Sequence, residues 1–174
     1  MTTYHIHALS GDDLSRRIDA LCEVLENCVS GGASVSFMHP LSREKSLRFW
    51  SNVAASTTRG ERIVLVAEDE TGDIVGTVQL ILDQPENQPH RADVSKLLVH
   101  EKARRQGLAR RLMDALETAA QANAKTVLVL DTATGSGAEN FYLQCGWQRV
   151  GEIPRYALMP QGNVTATTFF YKFL

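Results

Sequence analysis

The segment KLLVHEKARRQGLARRLMDALETA, residues 96–119, carries the reading of the fold. An apolar strand end, residues 96–99, runs into a basic loop holding one glycine, and the loop opens directly into an amphipathic helix. Leu108, Leu112, Leu116 and Ala120 mark the apolar stripe of that helix, widened by Ala109, Met113 and Ala119. A strand, loop and helix in this order point the unpaired N–H groups of the helix start at one spot, with the positive end of the helix dipole behind them. That is an anion site. Gly107 and Ala109 are small enough for a phosphate to approach the backbone, and Arg104, Arg105, Arg110 and Arg111 raise the local positive potential. Two other phosphate motifs are excluded. The dinucleotide fingerprint needs three spaced glycines, and the P-loop needs a Gly-Lys-Ser/Thr that does not occur here.

Working outward, strands and helices alternate. Residues 4–8 read as a first strand. Asp12 or Asp13 can cap a helix whose apolar positions, Leu14, Ile18, Leu21, Leu25 and Val29, recur at helical spacing, with Gly31-Gly32 as its stop. Residues 33–40 form a loop with Val35, Phe37 and Met38, apolar side chains that either anchor it or line a pocket. A second helix is expected from Ser42 to about Arg59. Residues 63–67 and 74–82 form a hairpin around the turn residues 70–73, and residues 92–99 are a third strand. The continuous apolar run 127–130 reads as a strand buried on both faces. Residues 138–145 form a short helix and 167–173 a last strand, which completes the chain's own sheet or sits at a dimer interface. The order predicts one α/β domain over residues 1–174, a sheet with helices on both faces.

Composition bounds the function. The chain has 174 residues, 44% hydrophobic and 22% charged, which suits a globular domain with a real core. A net charge of −2 disfavours nucleic acid as the main partner, because phosphate binding needs a basic excess. No apolar run is long enough to span a bilayer, and the N-terminus lacks the basic-then-apolar order of a signal peptide, so no membrane partner is expected. Three cysteines, Cys22, Cys28 and Cys145, make no disulfide framework, and a reducing cytoplasm is the expected setting. The histidines form no His-Glu-x-x-His pattern, and no metal is expected.

Arg104-x-x-Gly107-x-Ala109, directly after Leu97-Leu98-Val99, resembles the pyrophosphate loop of the GCN5-related N-acetyltransferases, whose pattern is Gln/Arg-x-x-Gly-x-Gly/Ala. Gly135-x-x-Ala138-x-x-Phe141-Tyr142-x-x-x-Gly146-Trp147 is similar to a second element of that family, with Gly135 where asparagine is common and Trp147 where phenylalanine is common. The resemblance implies a mixed, mostly antiparallel sheet flanked by helices. It implies acetyl-coenzyme A as co-substrate, held by Leu97, Leu98, Val99, Arg104, Arg105, Gln106, Gly107, Leu108, Ala109, Arg110, Ala138, Phe141 and Tyr142. Residues 31–38, 91–97, 130–132 and 150–156 are further similar to a member of the family that acetylates a β-lactam toxin. That similarity implies a small-molecule amine as acceptor, met by Ser34, Phe37, Met38, Asp93 and Tyr156, in an enzyme that is a monomer or homodimer. A non-catalytic acyl-coenzyme A sensor and a protein or peptide acetyltransferase are the rival readings.

Acetyl transfer from a thioester makes four demands. The coenzyme is held by its pyrophosphate, the thioester carbonyl is polarised, the amine arrives uncharged, and the departing thiolate gains a proton. Residues 105–110 meet the first. Backbone groups of Leu97, Leu98 and Val99 meet the second where the family's sheet splays open. Tyr142 is the candidate proton source. Asp131, at the end of the buried strand, is the candidate base or else a cap on the turn 132–137; Asp93, Glu152 and a water chain are further candidates. Arg155 and Tyr156 follow Pro154 in an expected loop over the acceptor pocket, where Arg155 hints at a carboxylate on the substrate.

Overall fold

The computed structural model describes residues 2–174. Seven strands form one sheet: β1 (His5–Leu9), β2 (Arg62–Glu68), β3 (Ile74–Ile81), β4 (Arg91–Val99), β5 (Val127–Ala133), β6 (Gln148–Leu158) and β7 (Val164–Phe173), in the spatial order β1-β2-β3-β4-β5-β7-β6. Every neighbouring pair is antiparallel except β4 and β5. The helices are α1 (Gly11–Arg16), α2 (Ile18–Ser30), α3 (Arg43–Thr58), α4 (Leu108–Ala122) and α5 (Ala138–Gln144). This is the mixed, mostly antiparallel α/β architecture that the sequence implies.

Strand alternation builds a core on each side of the sheet. On β2, Val64 and Val66 pack with Leu14, Leu21, Leu25 and Trp50 of α1–α3, whereas Leu65 and Ala67 pack with Leu108, Leu112, Met113 and Leu116 of α4. Gly76 lets α4 lie close: a Cβ there would fall 3.1 Å from Leu112 Cδ1 and 3.3 Å from the Leu98 carbonyl.

The alternation breaks on β4, beside the site. Ala92 and Val94 belong to the α4-side core, and simple period-two spacing would put residue 98 there too, yet Leu98 packs into the opposite core. The pairing with β3 skips at this point, from Leu98 opposite Thr77 to Ser95 opposite Gln79, so Lys96 and Leu97 together face one residue. Lys96 takes a left-handed φ of 56° to make this bulge. One extra residue flips every side chain after it to the other face.

Three expectations change. The first helix is two: Arg17 leaves helical geometry (φ −105°, ψ 18°) while its guanidinium bonds Glu68 and the Gly72 carbonyl, and the N-cap is Ser10 rather than Asp12 or Asp13. The strand at 127–130 continues to Ala133 and is fully buried on one face only, through Leu128 and Leu130. Arg155 and Tyr156, expected in a loop after Pro154, lie in strand β6, exposed along almost all its length at the edge of the sheet. The last strand, β7, lies inside this chain's own sheet, between β5 and β6.

Candidate active site

The parallel pair β4–β5 holds only from Arg91–Val127 to Asp93–Val129. Beyond that point β4 stays with β3 and β5 stays with β7, so the two strands part. A cavity of about 930 Å³ fills the split, and a recess of about 420 Å³ adjoins it between the start of α4 and α5. Val99, Arg104, Arg105, Ala109 and Phe141 line both.

The loop into α4 is built for an anion. Arg105 (φ 61°) and Gly107 (φ 72°) are both left-handed, which curls the backbone so that successive N–H groups converge. Gly107 is the N-cap with no side-chain cap bond, and Arg111 N–H bonds back to the Gly107 carbonyl at 3.2 Å. The first N–H groups of the helix therefore have no carbonyl of their own helix to meet. Nothing stands within 4 Å of the space over Gly107, so a phosphate can reach this backbone. Arg104, Arg105 and Arg110 stand at the recess. Arg111 does not: its guanidinium holds the Tyr4 carbonyl at 2.8 Å. These residues fit a pyrophosphate group. Leu97, Leu98 and Val99 line the cavity from β4, although the Val99 carbonyl already accepts from Cys28 Sγ and Arg104 Nε.

Tyr142 and Asp131 meet in this cavity. The Tyr142 ring lies against Phe141, Trp147 and Phe170, with centroids 5.2, 6.0 and 5.9 Å away. Burial raises the pKa of its phenol above the ordinary tyrosine range, helped by Cys145 and by the negative charge of Asp131. Asp131 is exposed to the cavity, and its Oδ2 accepts a hydrogen bond from Thr167 Oγ1 at 2.7 Å. It lies within β5 and is tied to β7, not to the turn that follows. Ala138, Leu108 and Ser34 also line the two spaces.

Residues 32–36 form one part of the cavity wall, and residues 156–159 and 165–167 another. A hydrogen bond of 2.9 Å from His39 N–H to the Pro160 carbonyl ties together the two loops that follow residues 32–36 and 156–159. Tyr156 lines the cavity from β6. Several expected residues lie elsewhere. Phe37 packs edge-on to Phe49, 5.3 Å between centroids, and Met38 is exposed; neither lines the cavity. Asp93 pairs with Arg91 and Gln84 before the strands part. The Gln106 side chain accepts from the Tyr4 hydroxyl at 2.7 Å. Glu152 is ion-paired to Arg149 on the outer strand, and Arg155 is exposed and outside the lining. Conversely, Lys96, Cys28 and Thr167 line the cavity and were not expected there, and Ser36 joins them from the loop 31–38. Among the described residues, no group of three or more His, Cys, Asp or Glu side chains is arranged to hold a metal ion, and no helix is long and apolar enough to cross a membrane.

Comparison with known proteins agrees with this geometry. Residues 60–149 match the model of the acetyltransferase (GNAT) domain. An uncharacterized N-acetyltransferase encoded in the hisH–hisA intergenic region of Azospirillum brasilense is 35% identical over 113 residues, which span 64% of this chain and 65% of that protein, a little under two thirds of its length. Among solved structures, yncA from Salmonella typhimurium, determined with its cofactor acetyl-CoA, superposes with a TM-score of 0.79 at 20% identity, covering 99% of this chain and 94% of that one. A GCN5-related N-acetyltransferase from Kribbella flavida gives 0.79 at 18% identity, covering 98% of each chain. These structural likenesses concern the fold. The family match covers the split strands and the loop that opens α4, and on that ground the chain belongs to the GNAT acetyltransferase family.

Proposed function

We propose that this chain, as one catalytic domain, transfers the acetyl group of acetyl-coenzyme A to an amine of a small molecule. The observation that carries the reading is that the recess at the anion loop Arg104–Arg110 adjoins, through shared lining residues, the cavity that holds Tyr142, Asp131 and an acceptor end walled by residues 32–36 and 156–159. When bound, the coenzyme supplies the acetyl group as an activated thioester; the Salmonella typhimurium neighbour with acetyl-CoA supports that co-substrate. The N–H groups of residues 107–110 hold the pyrophosphate, and β4 residues Leu97 and Leu98 line the path of the pantetheine arm. Asp131 takes the proton of the incoming amine, held in place by Thr167. Tyr142 stays protonated in its buried setting and donates toward the departing sulfur.

The bond from His39 to Pro160 favours a small acceptor over a protein segment, because it ties together the two loops that follow residues 32–36 and 156–159. Residues 31–38 and 150–156, which resemble tabtoxin resistance protein, add a detoxifying role to the proposal. Free, buried cysteines suit a reducing, cytoplasmic setting.

The test is release of coenzyme A thiol from acetyl-coenzyme A in the presence of a broad amine panel, with the product checked by mass spectrometry. Acetylated amine supports the reading. Tight coenzyme binding with no acceptor acetylated, and no effect of Tyr142→Phe on any property, supports an acyl-coenzyme A sensor instead.

A further inference from the structure

We infer that Lys96 selects acceptors that carry an acid group, its ammonium ion receiving the acid while the amine of the same molecule faces Asp131. The inference rests on the acceptor reading above and assigns it a substrate class. Lys96 stands on β4 three residues past Asp93, and Asp131 on β5 two residues past Val129, the last parallel pair before the strands part. The two opposite charges therefore occupy opposite lips of the split, and both line the cavity.

The bulge is what puts the lysine there. In unbroken alternation residue 96 would follow Ala92 and Val94 toward the α4-side core, where a cation has no partner. With φ at 56° it turns instead to the side of the acceptor loop. Its Nζ lies 3.4 Å from Ser36 Oγ and 5.8 Å from the centre of the Phe49 ring. A hydroxyl and an aromatic face position an ammonium without neutralising it. Among the described residues no carboxylate forms an ion pair with it. Burial lowers its basicity, the negative charge of Asp131 opposes that effect, and Arg62 adds to it. Arg62 is itself engaged by Gln79 and Ser56. A half-buried ammonium with a neutral cradle and an open side is complementary to an anion brought by the ligand.

The same charge works against the alternative. An amine without an acid group brings no anion to the Lys96 ammonium and leaves that half-buried charge without a counter-ion. An amino acid brings its own counter-charge and leaves its amine for Asp131. Arg155, the residue whose sequence position hinted at a substrate carboxylate, lies outside the cavity, and Lys96 takes that role.

The experiment compares kcat/KM for a panel of free amino acids with that for their carboxamides, in the wild-type chain and in Lys96→Met and Lys96→Arg, each checked for folding by circular dichroism and melting. In the wild type the acids are preferred by about tenfold or more, the scale of one charge-assisted contact. Lys96→Met erases that preference through KM, and Lys96→Arg, which keeps the charge, retains most of it. Carboxamides or simple amines acetylated as well as acids, or a preference that survives Lys96→Met, would overturn the inference and leave the acetyltransferase reading standing. Coenzyme binding without acetylation of any amine would overturn both.

Discussion

The carboxylate of Asp131 on β5 and the hydroxyl of Thr167 on β7 are joined by a hydrogen bond of 2.7 Å at the wall of the cavity. The Thr132 carbonyl lies 3.0 Å from the same hydroxyl and shares its single proton, so both acceptors of Thr167 are on the strand that carries the aspartate. This fixes which way Asp131 points. Replacing Asp131 by Asn is expected to lower kcat by about a hundredfold or more, the usual contribution of a positioned base, with coenzyme affinity retained. Thr167→Val is expected to cost roughly tenfold, equivalent to one hydrogen bond to a charged group of about 1.5 kcal/mol. Steady-state kinetics alongside calorimetric coenzyme titration separates the two effects. Equal losses in coenzyme affinity would point to a structural role.

Tyr142 is held almost entirely out of water, and burial raises its pKa above the ordinary value of 10.0. An acid whose pKa is raised keeps its proton to higher pH. Activity should therefore show no alkaline limb from this residue up to about pH 10, and Tyr142→Phe should reduce kcat at all pH values without introducing a new limb. A pH–rate profile from pH 6 to about 10 checks this. An alkaline limb near neutrality that vanishes in the Phe variant would contradict the assignment.

The close approach of α4 to β3 at Gly76 sets a stability prediction. A methyl group there would meet Leu112 Cδ1 at 3.1 Å and the Leu98 carbonyl at 3.3 Å, and the carbonyl belongs to the bulged strand. Gly76→Ala is expected to cost about 1–3 kcal/mol, typical of overpacking. For a chain of this size that lowers Tm by about 2–4 °C per kcal/mol. Thermal unfolding followed by circular dichroism measures it directly; an unchanged Tm would mean that α4 shifts without cost.

Much of this was legible in the residues. The stripe Leu108, Leu112 and Leu116 gives α4 its face, and the order of Arg104, Gly107 and Ala109 marks the anion loop in the sequence itself. Tyr142 and Asp131 were expected in the site and share its cavity. The bulge was the costliest omission. Lys96 sits in phase with Ala92 and Val94, and a lysine in phase with core residues is a signal that alternation must break. Without that step the phase of residues 97–99 is reversed and Lys96 stays invisible. Strand β6 escaped for the opposite reason. It is an edge strand, exposed along almost all its length, so it carries no buried alternation, and Pro154 within it suggested a loop. Phe37 and Met38 were expected in the pocket because apolar residues on a loop serve either packing or ligand. Phe37 serves packing here, through Phe49, and the polar backbone stretch at residues 32–36 lines the cavity instead.

The proposed function rests on pyrophosphate binding at the backbone start of α4. The most direct test is calorimetric titration of the purified chain with acetyl-coenzyme A, set against an Arg104→Ala, Gly107→Asp double variant shown to be folded. Gly107 has a φ of 72°, so aspartate there both strains the loop and puts a negative charge at the proposed phosphate position. Saturable one-to-one binding by the wild type that the variant loses is the result the structure predicts. A well-folded wild type that shows no binding, or a double variant that binds as tightly as the wild type, would contradict it.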